Sequence, residues 1–145
     1  MKVENFFTEK EKKQIIAAIA DAEKNTSGEI RVHLEKTCGE NVFTHAVTVF
    51  DKLEMRKTEL KNAVLFYLAV QDKKFAIVAD KGINDVVPPD FWDKIKHELQ
   101  THFKQNNFSS ALCKAIEDTG KQLSSFFPLQ ANDTNELSND ISIGK

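Results

Sequence analysis

The sequence predicts an α/β fold in which a small mixed sheet of three to four strands lies between two layers of helices, about four helices in all. The apolar run Ala63–Val70 carries no charge, so a strand made from it must be covered on both faces. A second apolar run, Lys74–Asp80, follows after the three residues Gln71, Asp72 and Lys73, which is the length of a hairpin loop. Amphipathic helical patterns flank this pair, which predicts a three-layer α/β/α arrangement.

The length of 145 residues fits one domain with a tail. We expect an α/β domain over residues 1–127 and a disordered polar tail over residues 128–145, which contains no aromatic residue and no apolar period. Twenty basic and 22 acidic residues give a net charge of −2. Neither sign is concentrated enough to predict a nucleic-acid surface.

The first helix and first strand are predicted from capping and periodicity. Thr8 and Glu11 form a capping-box pattern before an apolar helical stripe, and Gly28 is suited to the turn that follows the helix. The segment Glu29–Glu35 then alternates strictly, with Ile30, Val32 and Leu34 on one side. Such alternation predicts one solvent-facing side and a place nearer the sheet edge than the hairpin.

A second helix connects this strand to the hairpin. Asn41 is a suitable cap, and the apolar period predicts a buried face made of Phe43, Ala46, Val47, Phe50 and Leu53. A strand, a helix and a strand in sequence usually form a right-handed parallel crossover. Glu29–Glu35 should therefore run parallel to Ala63–Val70, which makes the sheet mixed.

Two further helices are predicted after the hairpin. Gly82 and the Pro88-Pro89 pair are expected to interrupt regular structure, and Pro89 or Asp90 opens the third helix. The fourth helix has apolar residues from Phe108 onward at helical spacing and ends before Pro128.

The N-terminus lacks the apolar core of a signal peptide, and the longest apolar run, Ala63–Val70, has eight residues, less than half of the roughly 20 that a membrane span needs. We therefore expect a soluble, cytoplasmic protein without membrane insertion.

Cys38 and Cys113 belong to no CxxC pair, which favours two ordinary thiols, although a disulfide between them stays open. The sequence does not indicate the oligomeric state.

Four short motifs together resemble the TPM-domain family over roughly Phe6 to Phe127. They are SGEI at Ser27–Ile30, NAVL at Asn62–Leu65, DKGI at Asp80–Ile83 and FKQNNF at Phe103–Phe108. The resemblance implies a mixed sheet with helices on both faces. Members of this family include thylakoid-lumen proteins associated with photosystem II repair and bacterial anchored or exported proteins. The family carries a phosphatase label and reports of calcium binding.

The resemblance also bears on particular residues. Glu29, Asn62 and Gly82 fall on motif positions of the family. Where members commonly have a Gly-Asp pair before an aromatic residue, this chain has Asn106-Asn107 before Phe108 and so lacks a carboxylate.

Candidate site residues gather where the hairpin ends. Asp80 and Asp85 lie in one segment after the second apolar run, and Glu29 approaches from a neighbouring strand. Carboxylates of this kind suit calcium or magnesium, although solvated loop carboxylates explain the same pattern. Asn62 and Gly82 are candidates for a ligand-binding loop, or else satisfy the backbone at a strand start and form a turn.

No catalytic residue can be assigned from the sequence, because the four histidines and two cysteines do not follow the spacing of a metal site or a nucleophile–base pair. The favoured hypothesis is a non-catalytic or weakly catalytic module that binds an ion or a protein partner. The alternative is a metal-assisted phosphatase acting on phosphomonoesters at the carboxyl ends of the central strands.

Overall fold

A four-stranded mixed sheet separates two layers of helices in the computed structural model, which describes residues 2–105, 107–129 and 137–144. The strands are β1 (Glu29–Glu35), β2 (Ala63–Ala69), β3 (Lys74–Ala79) and β4 (Ser142–Ile143). The α-helices are α1 (Glu9–Glu23), α2 (Val42–Lys52), α3 (Lys81–Asn84), α4 (Phe91–Lys104) and α5 (Phe108–Phe126). Short 3₁₀ turns span Val3–Asn5 and Met55–Lys57. The predicted α/β fold is confirmed.

The strand order is β3-β2-β1-β4. β1 and β2 are parallel with Glu29 opposite Ala63, as expected for strands joined through α2. β2 and β3 form the predicted antiparallel hairpin, with Phe66 opposite Ile77. Lys73 has a φ of 53°, which allows the short hairpin turn to close.

Two apolar clusters, one on each face of the sheet, form the core. The larger one packs α1, α4 and α5 against alternate strand residues such as Val32 and Phe66. The smaller cluster packs α2 against the strand residues that point to the opposite face of the sheet, such as Leu65 and Tyr67. Every residue of β2 is buried, which explains why this segment carries no charge.

The starts of α1 and α2 follow the capping signals of the sequence. In α1 the Glu11 amide donates to Thr8 Oγ1 at 3.1 Å, and the Thr8 amide donates to Glu11 Oε1 at 2.9 Å. In α2 the Thr44 amide donates to Asn41 Oδ1 at 3.0 Å. These local bonds satisfy amides that have no partner within the first helical turn.

α1 and α5 pack closely although they lie far apart in the sequence. A Cβ added at Gly120 would lie 2.6 Å from the Cβ of Ala22, so only glycine permits this approach. The two small residues bring the helix axes together at this point.

The position predicted for β1 is wrong. β3, not β1, is the edge strand on the hairpin side, and β1 lies between β2 and β4. The expected solvent-facing side of β1 is covered, since His33 is 5% exposed. At His33 and Glu35 the alternating polarity reflects hydrogen-bonded polar groups inside the protein rather than contact with water.

Two local predictions are also wrong. Gly82 does not interrupt regular structure but lies within the short helix α3. Phe43 does not belong to the buried face of α2, because its side chain is 53% exposed. The helical period predicts Phe43 on the apolar side of α2. The residue lies in the first turn of the helix, however, and the buried residues of α2 begin only at Ala46.

The predicted disorder of the tail does not hold for residues 137–144. Ser142–Ile143 pair in parallel with His33–Leu34, and the Gly144 amide donates to Leu34 O at 2.8 Å. The remainder of the predicted tail includes residues 130–136 and 145, which lie outside the described residues. A short strand of this kind carries no periodic signal because only two residues pair.

Both cysteines are free thiols, which resolves the disulfide left open by the sequence. Within the described parts of the chain, no helix combines the length and apolar character that crossing a membrane requires.

Candidate functional site

Buried polar residues come together where the amino ends of β1 and β2 meet the carboxyl end of β3. The Glu29 amide donates to Asn62 O at 3.2 Å, and the Asp80 amide donates to Ala63 O at 2.9 Å. Glu29, Asn62 and Asp80 therefore sit at the start of β1, just before β2 and just after β3. Together with Glu23 of α1, we refer to these residues as the acidic end.

Asp80 and Asn62 each contribute a buried oxygen without a hydrogen-bond donor. Asp80 is 3% exposed; its Oδ1 accepts from the Lys81 amide at 2.7 Å, while Oδ2 has no partner among the described residues. Asn62 is 1% exposed; its Nδ2 donates to Ser27 Oγ at 3.3 Å, while Oδ1 also has no partner there. Two buried acceptors of this kind are unusual in one small region.

Arg56 provides positive charge beside Asp80. Its Nη1 lies 3.6 Å from Asp80 Oδ1, and half of the Arg56 side chain is exposed. The same guanidinium pairs with Asp51 and lies 5.2 Å from the centroid of the Phe50 ring. Arg56 therefore balances part of the charge of Asp80 from the solvent side and leaves Oδ2 unpartnered.

Two glutamates complete the acidic end. Glu29 is 3% exposed, and its Oε1 accepts from the Leu137 amide at 2.8 Å. Glu23 Oε2 accepts from the Ile30 amide at 2.8 Å. Ile30 lies in the part of β1 that does not pair with β4, which pairs only with His33 and Leu34. Burial and the nearby Glu29 charge raise the pKa of Glu23 to about 8, against the lowering effect of the Ile30 amide.

The raised pKa of Glu23 predicts a pH-dependent stability. The folded-state pKa lies above the ordinary value of 4.5, so the folded protein retains a proton that the unfolded chain releases. Stability should fall as pH rises from about 5 to 8, by about 1–2 kcal/mol because the side chain is only partly buried. Urea unfolding at several pH values should show this loss, and Glu23→Gln should remove it. Identical pH profiles for the two proteins would contradict the assignment.

The structure places the five sequence-predicted site residues as follows. Glu29, Asn62 and Asp80 meet at the acidic end, and Gly82 lies two residues beyond Asp80 in α3. Asp85 is exposed at the C-terminus of α3.

The candidate residues lie at the amino ends of β1 and β2 and the carboxyl end of β3, not at the carboxyl ends of the central strands where the sequence predicts a phosphatase site. β3 is antiparallel to β2, so its carboxyl end meets the amino ends of β1 and β2. Because the chain reverses at the hairpin, the Asp80 segment lies beside the amino ends of β1 and β2 and far from their carboxyl ends.

Gly82 permits a close contact between α3 and the segment before β2. An added Cβ would lie 2.5 Å from the main-chain oxygen of Lys61 and closer still to that of Leu60. The requirement for glycine at this position is therefore steric rather than a matter of backbone torsion. The contact holds the Asp80 segment against the segment that carries Asn62.

A second polar group, which the sequence analysis missed, lies at the opposite end of β1. Glu35 Oε1 is 3.0 Å from His33 Nε2, and Glu35 Oε2 is 2.7 Å from both His45 Nε2 and the Tyr67 hydroxyl, which donates to it. His33 Nδ1 is 2.8 Å from Ser142 Oγ. We call these five residues the histidine cluster. The spacing of His33 and Glu35 on one strand face was the available signal, but their partners come from other elements.

Burial and hydrogen bonding act in opposite directions in the histidine cluster. Burial alone would raise the pKa of Glu35, but hydrogen bonds from His33 and Tyr67 outweigh it and hold that pKa below its usual value. Burial lowers the pKa of His33, and burial together with the Glu35 carboxylate raises that of Tyr67. The Glu35 carboxyl is therefore favoured in its ionised form, and the His33 ring and the Tyr67 hydroxyl beside it are favoured in their neutral forms.

The described polar side chains meet only part of what a metal ion requires. In residues 2–105, 107–129 and 137–144, no three histidine, cysteine, aspartate or glutamate side chains converge as a metal centre would require. The unpartnered oxygens of Asp80 and Asn62 fit a hard cation in part, since calcium and magnesium also accept amide, main-chain and water oxygens.

Comparisons with known proteins identify a family and similar solved structures. A family model of the TPM domain matches residues 1–122. The solution structure of the BA42 protein from the psychrophilic bacterium Bizionia argentinensis is similar, with 54% identity, a TM-score of 0.90 and coverage of 99% of each chain. The N-terminal domain of the cg2496 protein from Corynebacterium glutamicum shares the fold, at 12% identity and a TM-score of 0.63, over 93% of this chain and 79% of that one. No curated protein matches the chain.

Proposed function

The chain belongs to the TPM domain family, and on that basis we propose that it is a binding module that holds a divalent cation at the acidic end. The observation that carries this proposal is the pair of buried, unpartnered oxygens, Asp80 Oδ2 and Asn62 Oδ1. Both are hard oxygen ligands of the kind that calcium and magnesium prefer.

The energetic argument starts from the cost of leaving these oxygens without partners. A buried acceptor without a donor costs about 1–3 kcal/mol, and more when it carries charge. A bound cation would satisfy Asp80 Oδ2, and Asp80 would supply the negative charge that attracts it, with the Asn62 amide oxygen as a further hard donor in the same region. Because few carboxylates are available, we expect a dissociation constant on the order of 0.1–1 mM, as in weak calcium modules.

The neighbouring glutamates would strengthen attraction for a cation without all being ligands. Glu29 is buried next to Asn62. Glu23 carries a proton over much of the neutral range because its pKa is raised to about 8. Arg56 opposes a cation, since its guanidinium already lies beside Asp80. The balance of these charges favours a weak site.

Thermal unfolding in calcium chloride or magnesium chloride tests the proposal. A ligand at 100 times its dissociation constant stabilises the folded state by about 2.7 kcal/mol, so the melting temperature should rise with cation concentration. Asp80→Asn should reduce the apparent affinity by about tenfold or more. Arg56→Gln should raise it, because the competing positive charge is removed.

Asp85→Asn is the matched control, because it removes the same charge from an exposed position five residues away. This variant should respond to the cation as the parent protein does. An unchanged melting temperature of the parent protein in 10 mM calcium or magnesium, roughly ten times the weakest expected dissociation constant, would refute the proposal. So would equal losses in Asp80→Asn and Asp85→Asn. Hydrolysis of p-nitrophenyl phosphate at an enzyme-like rate, abolished by Asp80→Ala, would instead favour the metal-assisted phosphatase.

A further inference from the structure

The outer edge of β3 presents main-chain groups that pair with no other strand of the described residues. The Asp80 amide donates to Ala63 O, so the hydrogen-bonded positions of this antiparallel pair alternate from Asp80 backwards along β3. The amides and carbonyls of Phe75, Ile77 and Ala79 therefore point away from β2. Asn84 Nδ2 donates to Ala79 O at 2.9 Å and closes that position. Phe75 and Ile77 are left as the pairing positions of the edge.

These two positions form the floor of a groove of about 350 Å³. The α2 wall contains Val42 and the exposed ring of Phe43, and the α4 wall contains Lys96. We call this feature the edge groove. Its floor offers main-chain hydrogen bonds, and one wall offers an exposed aromatic ring, which is the combination that an added strand requires.

The edge groove is basic. Lys73, Lys74 and Lys96 line it, and no acidic residue does. None of the three lysines forms an ion pair with a carboxylate of the described residues. The neighbouring Asp72 accepts from the Cys38 amide through Oδ2 at 2.9 Å, and its carboxylate also interacts electrostatically with Lys74. An incoming carboxylate would therefore meet Lys73 and Lys96 outside any ion pair among the described residues, and Lys74 partly balanced by Asp72.

Lysines at a sheet edge also prevent indiscriminate pairing. The two roles are compatible, since positive charge repels basic strands and disfavours neutral ones while attracting acidic ones. We propose that the edge groove binds an extended acidic segment of a partner protein, which adds to the sheet as a strand antiparallel or parallel to β3. Main-chain bonds to Phe75 and Ile77 would provide affinity, and the lysines would select negative charge.

A seven-residue peptide that alternates glutamate and valine, labelled with fluorescein, is the probe. We expect fluorescence anisotropy to show binding that weakens with added salt, and a peptide with lysine in place of glutamate not to bind. Amide hydrogen exchange should slow at Phe75 and Ile77 on binding. The amides of Ala76 and Val78 are the internal control, because they already face β2.

Charge reversal provides the second arm. The double variant Lys74→Glu/Lys96→Glu should weaken peptide binding by about tenfold or more. Lys10→Glu/Lys13→Glu changes the net charge equally at exposed positions of α1 and should bind as the parent protein does. Equal weakening in both variants, equal binding of both peptides, or unchanged exchange at Phe75 and Ile77 would overturn the proposal. Self-association of the parent chain through this edge would overturn the assignment to a separate partner.

Discussion

Gly82→Ala should lower the free energy of unfolding by about 3 kcal/mol, because the new methyl group would overlap main-chain oxygens that cannot move independently. An added Cβ at this position lies 2.5 Å from Lys61 O and closer to Leu60 O. Relief requires α3 to separate from the segment before β2, and this movement would also displace Asp80. Urea denaturation with an unchanged m-value should report the loss.

Gly39→Ala separates this steric effect from a torsional one. Gly39 has a φ of 71°, and a Cβ added there meets no atom within 4 Å. The cost at Gly39 should therefore be about 1 kcal/mol, from the left-handed backbone conformation alone. If Gly82→Ala destabilised the protein no more than Gly39→Ala, the close packing of α3 described above would be wrong.

Glu35→Ala is expected to destabilise the protein by about 2–4 kcal/mol, because it leaves several buried donors without an acceptor. The Tyr67 hydroxyl and His33 Nε2 both bond to this carboxylate, and both side chains are almost completely buried. Tyr67→Phe removes one donor and keeps the ring, so it should cost only about 1 kcal/mol. Chemical denaturation of the two variants measures the difference.

Glu40→Ala is the control for this experiment, since Glu40 is an exposed glutamate in the loop that follows β1. Its effect should stay within about 0.5 kcal/mol. A loss in Glu35→Ala as small as that of Glu40→Ala would mean that the histidine cluster does not support the fold.

The parts of the fold that local signals specify could be predicted from the sequence. The capping box of α1, the uncharged β2 and the short turn before β3 each depend on residues close together in the chain. The parallel pairing of β1 and β2 followed from the handedness of crossover connections. For these elements, local preference and tertiary packing agree.

The candidate site was predictable only in part. Its residues were found because they end or begin strands, but the site was expected at the carboxyl ends of the central strands, whereas the residues lie where the amino ends of β1 and β2 meet the carboxyl end of β3. The histidine cluster depends on strand register, which sets His33 beside Tyr67, and on β4, whose two residues carry no periodic signal. Long-range pairing decides these features, and a single sequence does not encode it as a local pattern.

The contact of α1 with α5 also has a consequence for synthesis on the ribosome. Gly120 and Ala22 lie close together in space, although most of the domain sequence separates them. The helix α5 also supplies Leu112, Ile116 and Leu123 to the larger core cluster. The N-terminal helix therefore has no complete surface to bury against until the last helix has left the exit tunnel. Nascent chains that end before this helix should remain open to proteases and chaperones, whatever the strength of their local helix signals.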